Sequence, residues 1–129
     1  KIAEQLSGIK DYPKVNKAAI KEMHRQVGDL NIDEQGIAQR GLLVRHLVLP
    51  NRLAGTEDIV SFLAKEVSTN TYLNIMAQYH PCHHAFDIPQ LSRPLSSEEF
   101  SQAIKLAHQQ GLNRLDKDSF LPPLRLILR

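Results

Sequence analysis

The run of residues that most limits the fold of this chain is GLLVRHLVLP, at positions 41–50. Leucine and valine almost fill it, which is typical of a parallel strand covered by helices on both faces. Alternation along such a strand places Arg45 on one face and His46 on the other. A guanidinium in a buried strand is costly unless it meets a carboxylate or an anionic ligand. Arg45 therefore indicates either a structural ion pair or a binding site.

A second strand is predicted over residues 71–79, TYLNIMAQY, and its two faces differ in kind. One face is dry and consists of Leu73, Ile75 and Ala77. The other face is mixed and consists of Asn74, Met76 and Gln78, continued by His80. This contrast is typical of a barrel strand with helices over one face and a polar cavity against the other. The two amides suit hydrogen bonds to a polar ligand, although buried amides bind water or backbone equally well.

Three helices and a hairpin accompany these strands. The helix predicted at 13–27 is amphipathic, with apolar residues recurring every four positions at Val15, Ala19, Met23 and Val27. A second helix is predicted at 57–67, with Thr56 as its N-cap. A third follows the capping box of Ser96 and Glu99 and ends at Gly111. Residues 29–40 suggest a small irregular hairpin, and residues 1–8 resemble the end of a further helix.

Helices that alternate with strands define an α/β fold. With about two parallel strands, three to four helices and a small hairpin, the chain cannot close a barrel, which needs about 200 residues or more. It is either a small open α/β unit or the carboxy-terminal portion of a TIM-like barrel. We assign residues 1–115 to this domain and 116–129 to a tail. The first residue is Lys1 and not methionine, so we expect a fragment.

Charge and cysteine content exclude several classes of function. Sixteen basic and fourteen acidic residues leave a net charge of +2, and the basic residues are dispersed. We therefore expect no nucleic-acid partner and no membrane partner. The single cysteine allows no internal disulfide and no all-cysteine metal site within this chain. A reducing, cytoplasmic setting fits this composition best.

The segment His80-Pro81-Cys82-His83-His84 holds four potential metal ligands within five residues. Residues this close in sequence can direct few of their side chains to one tetrahedral ion. We therefore expect a partly exposed loop and no native metal site. A small zinc hydrolase built on this segment is the corresponding alternative. Cys82 as a nucleophile would need a base and an orienting acid nearby, and a bystander thiol is the simpler interpretation.

Together, GLLVRHLVLPN at 41–51, TYLNIMAQYHPCHHA at 71–85 and the capped helix ending at Gly111 resemble the carboxy-terminal part of a radical S-adenosylmethionine protein. The resemblance is to the relatives of pyruvate formate-lyase activating enzyme and covers roughly residues 2–112. It implies a partial (β/α)6 barrel with a four-iron, four-sulfur cluster on a Cys-x3-Cys-x2-Cys loop. That cluster binds S-adenosylmethionine and cleaves it to a 5′-deoxyadenosyl radical, which abstracts hydrogen from a substrate.

The resemblance also assigns roles to residues of this chain. Arg45 matches an inward-facing strand arginine near cofactor and substrate, and His80 matches a histidine near the adenosine moiety. Both are expected to bind cofactor, whereas alternation places Asn74 and Gln78 along the substrate cavity. The three cluster cysteines are absent, so this chain alone is expected to bind no cofactor and to have no catalytic residue.

The leading hypothesis is therefore an inactive carboxy-terminal fragment of a radical S-adenosylmethionine enzyme. Its expected partners are the missing amino-terminal part of the barrel and a glycyl-radical protein substrate. The competing hypothesis is a non-catalytic binding or scaffold module derived from a truncated barrel. In either case the edges of the strands have unpaired backbone groups that normally bond to neighbouring strands. We therefore predict self-association through exposed strand edges.

Overall fold

A computed structural model describes residues 2–117 of the 129-residue chain. The strands and α-helices follow one another in the order α1 (Ile2–Ser7), α2 (Tyr12–Val27), β1 (Asn31–Ile32), β2 (Ala38–Arg40), β3 (Leu43–Leu47), α3 (Thr56–Phe62), β4 (Tyr72–Met76) and α4 (Ser97–Gln109). The described part is thus a mixed α/β fold with four α-helices and two small sheets, and its strands form no closed barrel. No helix in residues 2–117 is both long enough and apolar enough to cross a membrane.

The centre of the fold is the parallel pair β3–β4. Arg45 lies opposite Asn74 and His46 opposite Ile75, and the pairing runs without a shift from end to end. Beyond β4, Leu73 also forms a parallel bridge with Leu115. The predicted parallel arrangement of the two strands is therefore confirmed, and β4 has neighbours on both sides. The predicted hairpin is confirmed as the antiparallel pair β1–β2.

One face of this sheet forms the hydrophobic core. The side chains that the sheet and the two following helices contribute to it are Val44, Val48, Val60, Phe62, Leu63, Leu73, Ile75, Phe100, Ala103 and Ala107. The opposite face is open, because Leu43 and Leu47 remain 39% and 38% exposed. The expectation that β3 is covered on both faces is thus wrong for the described residues. Leucine content predicts the strand, but it does not show whether other elements cover its second face.

Helix α4 begins as the sequence predicts. The Ser96 hydroxyl accepts a hydrogen bond from the Glu99 N–H at 3.2 Å, and the Glu99 carboxylate accepts one from the Ser96 N–H at 3.0 Å. This reciprocal pair satisfies two N–H groups that have no partner inside the helix. Leu95 and Phe100, on either side of the box, are both buried in the core. The capping box thus fixes how α4 packs onto the sheet.

Helix α3 begins differently from the prediction. Thr56 is its first residue and not its N-cap, and Gly55 precedes it in the left-handed conformation at φ 64°. The Thr56 side chain makes no cap bond, because its Oγ1 lies 2.9 Å from Nε2 of His46. After α3 the chain continues as a π-helical turn, Leu63–Val67. The Thr56 hydroxyl, which local sequence predicts to cap the helix, thus forms a hydrogen bond with the buried His46 instead.

Helix α2 has the predicted range but packs by a different face. None of its residues is buried, and Val15 and Met23 of the apolar stripe are 58% and 46% exposed. An apolar stripe normally faces the core. Here the side of α2 that faces the domain is more polar, with the Lys17 ammonium 4.9 Å from the centre of the Phe62 ring and Lys21 paired with Glu66.

The carboxylate of Asp29 ties the end of α2 to the loop before β4. It lies 2.9 Å from Nε2 of His24 and accepts hydrogen bonds from Ser68 and Asn70 at 3.1 and 3.3 Å. Burial raises the pKa of Asp29, but these hydrogen bonds outweigh it and hold the pKa below its usual value. Residues 118–129 of the predicted tail lie outside the described residues.

Candidate functional site

The open face of the β3–β4 sheet carries the first pair of predicted site residues. Arg45 and Asn74 are cross-strand partners in the register, so their side chains leave the same face of the sheet side by side. Arg45 is exposed and Asn74 is half-buried. The alternation that separates Arg45 from His46 is confirmed, because His46 is buried on the other face at 6% exposure.

The other two predicted site residues lie past the carboxyl end of β4. The strand ends at Met76, so Gln78 and His80 belong to the loop that follows, and both are exposed. The predicted strand over 71–79 is therefore too long at its carboxyl end. The structure brings Arg45 and Asn74 together on the sheet, and it places Gln78 and His80 at the end of the sheet toward which both strands run.

In the described part of the chain, these four side chains have no hydrogen-bond or ion-pair partner. Within residues 2–117, Arg45, Asn74, Gln78 and His80 make no side-chain hydrogen bond and no ion pair. A structural ion pair for Arg45 is thus absent from the described part of the chain. The donors and acceptors on the open face are available to solvent or to a ligand.

The long loop after β4 is anchored near its start. The hydroxyl of Tyr79 donates to the carbonyl oxygen of Leu91 at 2.8 Å, and burial, together with the neighbouring Cys82, raises the pKa of Tyr79. The middle of the loop is a 3-10 turn, His83–Asp87, with Phe86 63% exposed. Cys82 is an exposed free thiol. Across residues 2–117, no group of three or more His, Cys, Asp or Glu side chains is placed to hold a metal ion.

A second polar cluster, which the sequence alone did not reveal, stands at the carboxyl end of β3. Asn51 and Arg52 both adopt positive φ, at 57° and 59°. Asn51 is held there by its N–H donating to Glu99 at 2.7 Å and by its side-chain amide donating to the carbonyl of Gln90 at 2.7 Å. Positive φ is rare outside glycine, and asparagine tolerates it best. The asparagine that follows Pro50, a few residues after β3, is the sequence signal that could have predicted the turn.

Glu99 is the hub of that cluster. Arg93 donates to both of its carboxylate oxygens at 2.8 Å, in addition to the N–H groups of Ser96 and Asn51. The hydrogen bond from Arg93 is the main cause that lowers the pKa of Glu99 to about 2. One carboxylate therefore joins the start of α4, the loop after β4 and the turn after β3. It positions the carboxyl end of β3.

Beside this hub, a cleft of about 500 Å³ opens between the starts of α3 and α4. Its lining includes apolar side chains, Val48, Leu49, Ala103 and Leu106, together with Arg52 and several carboxylates. Arg52 and Glu57 approach to 3.6 Å across exposed surface. The cleft lies among the helices that back the sheet, and none of the four predicted site residues lines it.

Comparison with known proteins adds one relative. The chain is 33% identical over 111 residues to the uncharacterized protein MJ0674 of Methanocaldococcus jannaschii. The matched region is 85% of this chain and 28% of that relative, so the chain spans little more than a quarter of the relative's length. No protein-family model matches the chain, and no solved structure matches it significantly.

Proposed function

We propose that this chain is the carboxy-terminal part of a partial (β/α)6 barrel of the radical S-adenosylmethionine class, related to pyruvate formate-lyase activating enzyme. The observation that carries the proposal is the open face of β3–β4. There Arg45 and Asn74 stand in register on two parallel strands whose other face is packed under helices. A parallel sheet with one helix-covered face, and polar side chains among the leucines of its other face, is compatible with a barrel wall.

The direction of the strands supports the same proposal. Ligands of parallel α/β folds bind at the carboxyl ends of the strands. Gln78 and His80 follow that end of β4, and the strained turn at Asn51 follows that end of β3. Backbone strain of this kind is concentrated at functional sites. Gln78, His80 and the strained turn at Asn51 therefore lie at the same end of the sheet.

Each of the four residues has a chemical role in the proposal. The Arg45 guanidinium offers two parallel N–H donors, which suit the carboxylate of S-adenosylmethionine or of a substrate. His80, at the mouth of the cavity, contacts the adenosine moiety. The amides of Asn74 and Gln78 donate and accept hydrogen bonds at two depths of the substrate cavity.

The iron–sulfur cluster of this class does not fit the residues of this chain. A cluster bound through a Cys-x3-Cys-x2-Cys loop takes three thiolates. The chain has one cysteine, Cys82, and it lies in an exposed loop. We assign the cluster ligands to another part of a longer polypeptide, and we derive no radical step from these residues. The missing barrel strands and a glycyl-radical protein remain the proposed partners, in a cytoplasmic setting.

The test is to obtain the coding sequence upstream of Lys1 and to express the longer protein anaerobically. We expect a Cys-x3-Cys-x2-Cys motif, the absorbance of a four-iron, four-sulfur cluster, and reductive cleavage of S-adenosylmethionine to 5′-deoxyadenosine. Arg45→Ala should lower the rate of cleavage or raise KM by at least about tenfold, the loss of one charge-assisted contact.

The matched control is Arg40→Ala, because Arg40 is an exposed arginine on β2, in the other sheet, and its guanidinium donates to the carbonyl oxygen of Gln26. It should leave cleavage unchanged. Absence of the cysteine motif upstream, or equal effects of the two arginine substitutions, would refute the proposal. The first result would favour the non-catalytic binding module, which the single cysteine of this chain also suits.

A further inference from the structure

The cleft between the starts of α3 and α4 combines an apolar lining with an excess of negative charge. Its charged side chains are four carboxylates, Glu57, Asp58, Glu98 and Glu99, and one guanidinium, Arg52. A ligand that complements this surface therefore carries apolar groups together with positive charge.

Two of the four carboxylates lack a cation of their own. The arginine contacts described above account for Glu57 and Glu99. Within residues 2–117, Asp58 and Glu98 form no ion pair. A positive group that entered the cleft would therefore meet carboxylates that no described residue neutralises.

The chain itself carries a segment of matching composition. Residues 121–129 read LPPLRLILR, so this leucine–arginine segment consists only of leucine, isoleucine, proline and arginine. Both of its charged side chains, Arg125 and Arg129, are positive. Leucine and isoleucine side chains are costly to leave in water. The segment is thus suited to an apolar surface that also binds cations.

The end of the described chain runs toward the cleft. Leu115 forms a parallel bridge with Leu73, so the chain there runs in the same direction as β4. The cleft lies at the carboxyl ends of the strands, because Val48 lines it and directly follows β3. From Lys117 to Arg125 is eight residues. An extended chain spans up to about 3.3–3.6 Å per residue, which gives Arg125 a reach of up to about 26 Å.

The other exposed apolar surfaces in residues 2–117 are less well matched to two arginines. The open face of β3–β4 carries Arg45 among its leucines. Helix α2, whose apolar stripe is exposed, has four lysine and arginine residues and one glutamate. Like charges on these surfaces repel Arg125 and Arg129. Charge therefore favours the cleft over either of them.

We propose that the leucine–arginine segment of this chain docks in the cleft between the starts of α3 and α4. Its leucines pack on the apolar lining, and Arg125 and Arg129 lie beside Asp58 and Glu98. The segment is tethered to the fold, so its effective concentration at the cleft is high and docking needs no second molecule. Docked there, it joins α3 to α4. The proposal does not rest on the radical S-adenosylmethionine function.

Paramagnetic relaxation in the 129-residue chain tests the position of the segment. In a Cys82→Ser background, a nitroxide on Ser101→Cys lies on the exposed side of α4, next to Glu98 and Gln102 of the cleft. We expect it to broaden the backbone amide signals of the leucine–arginine segment. The matched control is a nitroxide on Gln35→Cys, an exposed residue of the hairpin that precedes the amino end of β3. It should leave those signals sharp.

Equal broadening by the two nitroxides, or none from Ser101→Cys, overturns the proposal. A mixed sample separates the chain's own segment from that of a second copy. In it, the isotope-labelled chain carries no nitroxide and the nitroxide-labelled chain carries no isotope. This sample should show no broadening. Broadening there would mean that the segment of a second copy occupies the cleft, which also contradicts the proposal.

Charge reversal tests how the cleft recognises the segment. Arg125→Glu with Arg129→Glu should lower the docking equilibrium constant by at least about tenfold, because two attractions become repulsions. Asp58→Lys with Glu98→Lys should have the same effect from the side of the cleft. Combining all four substitutions should restore the broadening. The amide signals of the core report whether each variant is folded.

The control for charge reversal is Glu4→Lys with Glu34→Lys. It changes the net charge as much as the substitutions in the cleft, and neither residue lines the cleft. The broadening should persist in this variant. Unchanged broadening with Arg125→Glu and Arg129→Glu would contradict the proposal. An equal loss of broadening in the control would show that net charge, and not the cleft, holds the segment.

Discussion

The two faces of the β3–β4 sheet are made by the same ten residues, yet they differ in almost every physical respect. On one face Leu73 and Ile75 are 0% and 1% exposed and lie beneath α3 and α4. On the other face Leu47 is 38% exposed beside Arg45 and Asn74. One face stabilises the fold, and the other is open within residues 2–117. Substitutions on the two faces should therefore have opposite effects on stability and on function.

The largest contrast should come from leucine truncation on each face. Leu73→Ala removes a fully buried side chain and should lower the free energy of unfolding by about 2–5 kcal/mol, through lost burial and the cavity left behind. Leu47→Ala on the open face should cost less than about 1 kcal/mol. Urea unfolding followed by circular dichroism measures both. Equal losses would mean that the open face is packed in solution.

The pH dependence of stability provides a second comparison of the two faces, because His46 lies on the buried face and its neighbour Arg45 on the open face. Burial lowers the pKa of His46 from 6.5 to about 4 in the folded chain. Above pH 6.5 both states hold a neutral ring, so the contribution of His46 to stability is complete. As pH falls from 6.5 to 4, the unfolded chain binds a proton that the folded chain does not, and stability drops by about 3 kcal/mol. Below pH 4 this loss stops.

The matched variant for this titration is His46→Gln, which keeps a hydrogen-bonding group near Thr56 but cannot titrate. Urea unfolding at several pH values should give a flatter stability profile between pH 6.5 and 4 than for the unmodified chain. Identical slopes would show that other groups cause the pH dependence.

A smaller effect is expected at the hub that joins the two helices to the carboxyl end of β3. Glu99→Gln removes the charge that Arg93 and two backbone N–H groups share, and it should cost about 1–2 kcal/mol. Glu98→Gln, one residue away and exposed, should stay within about 0.5 kcal/mol. Thermal and urea unfolding compare the two. If Glu99→Gln left the free energy of unfolding unchanged, the turn at Asn51 would be held by other contacts.

The smallest effect on stability should come from the open face itself. Arg45→Ala and Asn74→Ala remove side chains that have no partner in residues 2–117, so each should change the free energy of unfolding by less than about 0.5 kcal/mol. The same urea titrations measure this. A loss of more than 2 kcal/mol for Arg45→Ala would restore the structural ion pair as the reason for this arginine.

Local patterns predicted much of this fold. Strand alternation placed Arg45 and His46 on opposite faces, and the capping box set the start of α4, because both features depend only on neighbouring residues. The parallel pairing followed from the helix between the two strands. Cys82 and the histidines near it lie in a loop, as their spacing indicated.

What the sequence did not predict depends on distant partners. The stripe on α2 is apolar, but a different face of the helix contacts the domain, through Ile20 against the core and through Lys17 and Lys21. Thr56 has the side chain of an N-cap, yet His46 takes its hydroxyl. Leucines show that β3 is a strand without showing whether a second layer of the fold covers it. Asn51 was missed because a strained turn depends on Glu99, 48 residues away.

The central claim is that the open face of β3–β4 is the ligand-binding side of a larger barrel. A crystal structure of the longer polypeptide with S-adenosylmethionine tests it most directly. We expect further parallel strands beside β3, and the nucleoside on the face that carries Arg45, with the guanidinium within hydrogen-bonding distance of the bound molecule. A helix packed over Arg45 and Asn74, or a nucleoside bound on the side of His46, would contradict the account.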